Sequence, residues 1–250
     1  MKKTLLCAIF AISTLAAFAQ SDAGSASEKP PLKSAAGSFV TELNFNPFKG
    51  NLSLNNSLNQ VKFRYFIKDD LAIRLGANIN QKDSVHNSGN PYGTQSTVQN
   101  NERKSTTLGI NLGLEKHFKG TSRLSPYAGA ELSLSSRSAN QDITNGSVST
   151  SVENGWIEYV NQNSQLYYST IVENAYTRFG INAFAGFDFY MAKNFFFGYE
   201  FNLGYAKTDY KTVEVITTGQ NNQNPLNTSK NSSSTFGTFL MNGIRIGYSF

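Results

Sequence analysis

The chain closes on FGTFLMNGIRIGYSF, Phe236 to Phe250, and the parity of this stretch decides how everything before it is read. Phe236, Leu240, Ile244, Ile246, Tyr248 and Phe250 share one parity, while Gly237, Gly243, Arg245, Gly247 and Ser249 share the other. A repeat of two is the repeat of a β-strand, whose successive side chains point to opposite faces. This strand has one large apolar face and one small face carrying a single cation.

Seven earlier segments show the same alternation from Gly37 onward. Their apolar faces are Phe39, Leu43 and Phe45; Val61, Phe63, Tyr65 and Ile67; Ile73, Leu75, Ala77 and Ile79; and Leu108, Ile110, Leu112 and Leu114. They continue with Ala128, Ala130, Leu132 and Leu134; Phe179, Ile181, Ala183, Ala185, Phe187 and Phe189; and Phe195, Phe197, Tyr199, Phe201, Leu203 and Tyr205. Each is close to the roughly 9 to 11 residues with which a tilted strand crosses the hydrocarbon of a bilayer. The connections alternate in length: 68–70, 119–123 and 191–194 are short, whereas 46–60, 80–106, 136–176 and 207–235 are long and polar. Such sorting of loops to one end is the asymmetry of an outer-membrane barrel. Eleven glycines, among them Gly76, Gly109, Gly113, Gly129, Gly186 and Gly198, fall on the opposite parity from the apolar residues, so the interior is expected to be narrow.

The ends and the composition agree. Met1 to Lys3 is a short positive start, Thr4 to Phe18 is apolar, and Ala17 to Ala19 offers small residues before a cut, so residues 1–19 read as a secretory signal peptide. Its apolar run is shorter than the about 20 residues of a spanning helix. Cleavage would remove Cys7, the only cysteine, leaving no disulfide and no thiolate ligand. The formal charge of +5 drops by two with Lys2 and Lys3, too little to argue for a nucleic-acid partner. Residues 20–36 are rich in Ser, Ala, Lys and Pro and read as a flexible periplasmic leader, followed by the barrel domain at 37–250.

The inward parity holds Glu42, Glu115, Glu131, Asp188 and Glu200 together with Lys62, Arg64, Arg74, Arg178 and Arg245. Five acids facing five bases form the balanced set that a dry polar core requires. Similar depth on neighbouring strands pairs Glu42 with Arg64, Arg74 with Glu115, and Glu200 with Arg245. Phe66, Phe184, Phe196, Phe239 and Met241 share this interior. Outward aromatics gather at the strand ends, Phe39, Tyr65, Phe118, Phe189, Phe195, Tyr248 and Phe250 at one level and Phe45, Phe179, Tyr205 and Phe236 at the other, as in the headgroup girdles of membrane barrels.

Strand count, loop sorting and the final aromatic resemble the small outer-membrane barrels of the OmpA transmembrane domain, OmpX and opacity-protein type. The resemblance covers about Gly37 to Phe250. It implies an all-β, eight-stranded antiparallel transmembrane barrel, an up-and-down meander with long extracellular loops and short periplasmic turns, in the outer membrane of a Gram-negative bacterium. Ile244, Ile246, Tyr248 and Phe250 resemble the C-terminal signal read by the barrel assembly machinery. Ten strands, through a hairpin in 140–172, are the alternative, although those segments lack an apolar face. Alternation in Leu166, Tyr168 and Thr170 and in Val213, Val215 and Thr217 hints at strands rising beyond the bilayer.

Catalytic signals are sparse. Asp83, Ser84 and His86 lie together in one long connection but as sequence neighbours, and His117 lies apart near a periplasmic turn. No set of close ligands for a metal and no phosphate loop is evident, so neither an enzyme nor a cofactor is expected. The expected partners are outer-membrane lipid, the assembly machinery and an extracellular protein or surface bound by the loops. The expected role is structural or adhesin-like, with a narrow channel for ions or small solutes as the alternative and lipid modification as a third.

Overall fold

In the computed structural model the described residues are 32–45, 58–89, 98–162, 166–219, 226–227, 230–238 and 243–250. The signal-peptide expectation and residues 20–31 of the leader lie outside them, as do Phe239, Met241 and the side chain of Phe45. The strands are β1 (Phe39–Phe45), β2 (Leu58–Lys68), β3 (Leu71–Gly89), β4 (Val98–His117), β5 (Leu124–Asn145), β6 (Val148–Glu153) and β7 (Gly155–Gln162). They continue as β8 (Leu166–Asn174), β9 (Tyr176–Ala192), β10 (Phe195–Tyr210), β11 (Glu214–Thr218), β12 (Leu226–Asn227), β13 (Ser232–Gly237) and β14 (Gly243–Ser249).

Eight of these form a ring of antiparallel ladders in the order β1, β2, β3, β4, β5, β9, β10, β14 and back to β1. The ladder returns to its start through Leu43 opposite Ile246 and Thr41 opposite Tyr248. A ring has no free edge within the barrel, so every backbone donor and acceptor there can be met by a neighbouring strand, the condition for crossing hydrocarbon.

The apolar parity faces outward on all eight staves. Leu75, Ile110, Leu112, Ile181, Leu203 and Ile246 are among the large apolar side chains left exposed, each between buried neighbours in sequence. Phe195 is in register with Tyr248, and Tyr205 with Phe236, which places one aromatic level at each end of the band. The ten residue steps from Phe195 to Tyr205 span about 33 Å of strand, or about 25 Å along the normal at a tilt near 40°, the height of an outer-membrane hydrocarbon band.

Short turns close one end. Lys68 and Leu71 flank one; Asp70 in it accepts a hydrogen bond from Lys116 Nζ, which holds its carboxyl below the usual range. Between β9 and β10 the chain turns through Asn194 with φ of 66°, the left-handed conformation that Asn tolerates better than most residues. Residues 32–36, read from sequence as part of a flexible leader, lie across this end. Leu32 packs on Val40, Phe66, Ala72, Tyr190 and Phe196, Ser34 Oγ donates to Ser249 Oγ at 3.0 Å, and Ala36 N donates to Asp69 Oδ1 at 2.9 Å. All five residues of that apolar cluster are on the inward parity, so composition signalled flexibility where an apolar lumen floor offered Leu32 a seat.

The other end differs more from the expectation of long loops. β3 and β4 run 19 and 20 residues and stay paired from Leu71 opposite Lys116 to Gly89 opposite Val98. β5 runs 22 residues and carries β6, which carries β11. Above Ile79 and Leu108, β3 and β4 turn largely polar on both faces, which is why the sequence looked like loop: the alternation is lost once neither face meets lipid, while backbone pairing continues. The hairpin β7–β8, the segment of the ten-strand alternative, forms its own two-stranded sheet instead of entering the ring.

The closing stretch is likewise two ladders. β13 pairs the upper half of β10 and β14 the lower half, and the register advances by two residues between Gly204 opposite Gly237 and Glu200 opposite Gly243. An advance of two preserves parity, so Phe236 and Ile246 still face outward.

Candidate functional site

The inward parity builds one buried ion-pair network to which all eight staves contribute. Glu42 comes from β1, Lys62 and Arg64 from β2, Arg74 from β3, Glu115 from β4, Glu131 from β5, Asp188 from β9, Glu200 from β10 and Arg245 from β14. None is more than 3% exposed.

The three neighbour pairs stand in contact: Arg64 Nε to Glu42 Oε2 at 3.3 Å, Arg74 Nη1 to Glu115 Oε2 at 3.4 Å, and Arg245 Nη1 to Glu200 Oε2 at 3.2 Å. Longer reaches accompany them. Arg74 grips Glu200 with two parallel bonds of 2.9 Å, and Arg64 Nη1 reaches Asp188 Oδ2 at 2.8 Å. In both cases the partners sit four staves apart in a ring of eight, on opposite walls. Arg64 also meets Glu115 at 2.6 Å, Arg74 meets Glu131 at 3.2 Å, Lys62 meets Glu200 at 3.0 Å, and Arg245 bonds Glu42. Tyr127 donates its hydroxyl to Glu200 Oε2 at 3.0 Å.

Room for these side chains comes from glycine placed beside them in register. Gly76 faces Lys62, Gly129 faces Glu115, Gly247 faces Glu42, and Gly198 faces both Asp188 and Arg245. A Cβ on Gly113 would stand 2.7 Å from the Glu131 Cβ and 3.1 Å from Arg74 Cγ, closer than side chains pack. Aromatic rings fill what remains: the Arg74 guanidinium lies 3.8 Å from the Phe184 centroid, and those of Arg64 and Arg245 lie 4.9 Å from Phe196 and Tyr127. Ring faces complement guanidinium charge in a space with little water.

Arg178 does not belong to this network. It shares the inward parity but lies near the far end of β9, exposed, with Nε donating to Thr208 Oγ1 at 2.9 Å and its guanidinium 5.1 Å from the Tyr176 ring. Parity fixes the face a residue points to, whereas height along the stave decides which charges it meets. Without Arg178 the buried set is five carboxylates against four cations.

A residue that sequence reasoning set aside completes the cluster. His117, 7% exposed, bonds Glu115 Oε1 through Nε2 at 2.6 Å and Ser125 Oγ through Nδ1 at 2.8 Å. Glu115, His117 and Asp188 each offer a ligand atom within 4.8 Å of the others, but Arg64 Nη1 already bonds both carboxylates, so a guanidinium fills the position a metal would take. The signal for His117 was its spacing of two from Glu115, which puts both on one face of β4. Asp83, Ser84 and His86, by contrast, are spread along exposed β3 above the band and face Lys104, Arg103 and Asn101 in the ladder.

At the long-hairpin end β7–β8 folds over the inward face of β4 and β5 and caps that side of the lumen. Ile157 N donates to Gln141 Oε1 at 2.7 Å, Gln141 Nε2 donates back to Ile157 O at 3.2 Å, and Trp156 Nε1 donates to Asn140 O at 3.0 Å. Ala139, Gln141 and Ile143 continue the inward parity of Tyr127, and Ile143 and Ile157 join Val152 and Val213 in a small apolar core. Arg137 ties Glu173 of β8 at 2.6 Å, and Arg103 ties Glu158 of β7 at 2.8 Å.

No curated protein matches the chain. Among solved structures, one similar chain is the N-terminal β-barrel domain of Pseudomonas aeruginosa OprF, at 15% identity and a TM-score of 0.34, covering 87% of this chain and 100% of that one. A family match spans residues 46–250, from the end of β1 to the final Phe250. The chain belongs to the OmpA-OmpF-like porin family.

Proposed function

We propose that this porin-like outer-membrane barrel is a structural and surface-interaction component rather than an open pore, working through the sheet that rises from its long-hairpin end. The observation that carries the reading is the filled lumen. Residues 32–36 and their apolar seat close one end, a network from all eight staves occupies the middle, and β7–β8 caps the β4–β5 side of the other. An eight-stranded ring leaves an interior just wide enough for side chains, and here side chains take it.

The same chain invests heavily above the membrane band, where β3, β4, β5, β6 and β11 form a continuous sheet. This reading puts that sheet outside the cell and the short turns in the periplasm, after export directed by residues 1–19. A sheet rich in Ser, Thr, Asn and Gln with exposed backbone edges suits contact with a protein or surface partner. The test replaces 82–104, the outer part of the β3–β4 hairpin, by a short turn. Cells bearing the shortened protein, with its heat-shifted gel mobility intact, are expected to lose adherence to surfaces; unchanged adherence would overturn the reading.

One observation favours a second reading, a gated channel. Arg74 touches Glu115, Glu131 and Glu200 at once, and Arg245 touches Glu42 and Glu200. Cations with several available acids can exchange partners at little electrostatic cost, which is how such a plug would open.

A further inference from the structure

We infer that Ser125, His117 and Glu115 form a nucleophile, general base and orienting carboxylate, and that the short-turn end of the barrel hydrolyses small carboxylic esters. The inference is independent of the role proposed for the outer sheet. It rests on hydrogen-bond geometry and a cavity.

Glu115 lies within 2.6 Å of Arg64 Nη1 and 3.4 Å of Arg74 Nη1, so it is ionised and can only accept. The hydrogen on its bond to His117 therefore sits on Nε2, at 2.6 Å. That tautomer leaves a lone pair on Nδ1, which faces Ser125 Oγ at 2.8 Å and accepts its hydroxyl proton. A serine whose hydroxyl is held by an imidazole, itself held by a carboxylate, is the arrangement that activates an alcohol for attack on an acyl carbon. The connection 118–123 and the strand pairing supply it: Phe118 N bonds Pro126 O at 2.8 Å, bringing the start of β5 against the end of β4.

His117 and Ser125 line a cavity of about 230 Å³ beside Lys33, Ser34, Lys119 and Tyr190. Lys33 and Lys119 share the lining with Asp69 and Asp70 and are the charged residues there that can donate to an oxygen gaining negative charge, while Phe66 and Phe118 give the cavity an apolar wall for an acyl group.

In the reaction, Ser125 Oγ bonds to the ester carbonyl carbon as its proton passes to His117 Nδ1. The carbon–oxygen bond to the alcohol then breaks, and the departing alkoxide takes that proton. Water attacks the acyl-serine, giving a proton through His117 to Ser125 Oγ as the carboxylic acid leaves. Glu115 positions the ring throughout and does not change protonation.

The experiment uses the full chain folded in detergent, with folding read from heat-shifted gel mobility. A fluorophosphonate probe and p-nitrophenyl butyrate report the nucleophile and the turnover. The folded wild type is expected to carry the phosphonate on Ser125, located by peptide mass spectrometry, and to lose it in Ser125→Ala. His117→Gln is expected to slow labelling and turnover by about 100-fold or more, the usual worth of a general base, while Ser84→Ala on exposed β3 changes neither. Folded wild-type protein with no phosphonate on Ser125, or labelling that His117→Gln leaves unchanged, overturns the proposal. The first of these results needs no variant to fold.

Discussion

Arg74 and Glu200 join opposite walls of the barrel through two parallel hydrogen bonds of 2.9 Å each, Nη1 to Oε2 and Nη2 to Oε1. With β3 and β10 four staves apart in the ring, this fork works as a tie-rod across the bore. Arg64 and Asp188 make a second such tie between β2 and β9. Replacing Arg74 by Met is expected to leave Glu200 and Glu131 under-compensated and to cost about 3–5 kcal/mol, the usual penalty for breaking one side of a buried ion pair. The urea midpoint of the detergent-folded barrel measures it.

Arg178 gives the matched control. It shares the inward parity but is exposed and bonds only polar and aromatic neighbours near the stave's end. Arg178→Ala is expected to change stability by less than about 0.5 kcal/mol, the range of surface substitutions. A loss comparable to that of Arg74→Met would place Arg178 in the network after all.

Narrowness is set by glycine. Gly113→Val would drive new atoms into Glu131, Arg74 and the Ala130 carbonyl, all within 3.1 Å of even a Cβ. Overpacking of this kind costs about 1–3 kcal/mol. The expected signature is a lower urea midpoint with retained strand content by circular dichroism.

The cap can be loosened by itself. Trp156 is 9% exposed and donates to Asn140 O, anchoring β7–β8 to the long strands. Trp156→Ala should remove about 3 kcal/mol or more of local packing, so limited proteolysis is expected to cut within 155–174 while heat-shifted mobility persists.

Phe250 closes the seam. Its N donates to Phe39 O at 2.7 Å, its carbonyl accepts from Phe39 N at 3.2 Å, and its ring packs edge-on against Tyr248 at 4.9 Å. Deleting it removes only the last rung of one ladder, so stability should fall little, while the outer-membrane level should fall strongly if Phe250 is the assembly signal. Unchanged levels in the membrane fraction would remove that role.

How far the sequence carried this picture follows from what an alternation encodes. Parity reported the lipid face wherever lipid was present, so Leu75, Ile110 and Ile246 located their staves and Glu42, Arg64 and Arg245 their neighbours. Where both faces are wet it faded: 80–106 read as loop, and only the alternation at Leu166 to Thr170 and Val213 to Thr217 hinted at β8 and β11. It also ranks only adjacent staves, so Glu42 with Arg64 was legible while Arg74 with Glu200 was not; a pair across the bore depends on ring size and stagger. His117 joining Ser125 needed the turn at 118–123 to be known.

Single-channel recording in a planar bilayer tests most directly whether this eight-stranded barrel is plugged by its own charges. Protein with heat-shifted mobility, inserted at neutral pH in about 1 M salt, where the Debye length is about 3 Å and surface charge is screened, is predicted to give a silent trace. Discrete, reproducible conductance steps from the same unmodified protein would contradict the plug and establish a conducting lumen in its place.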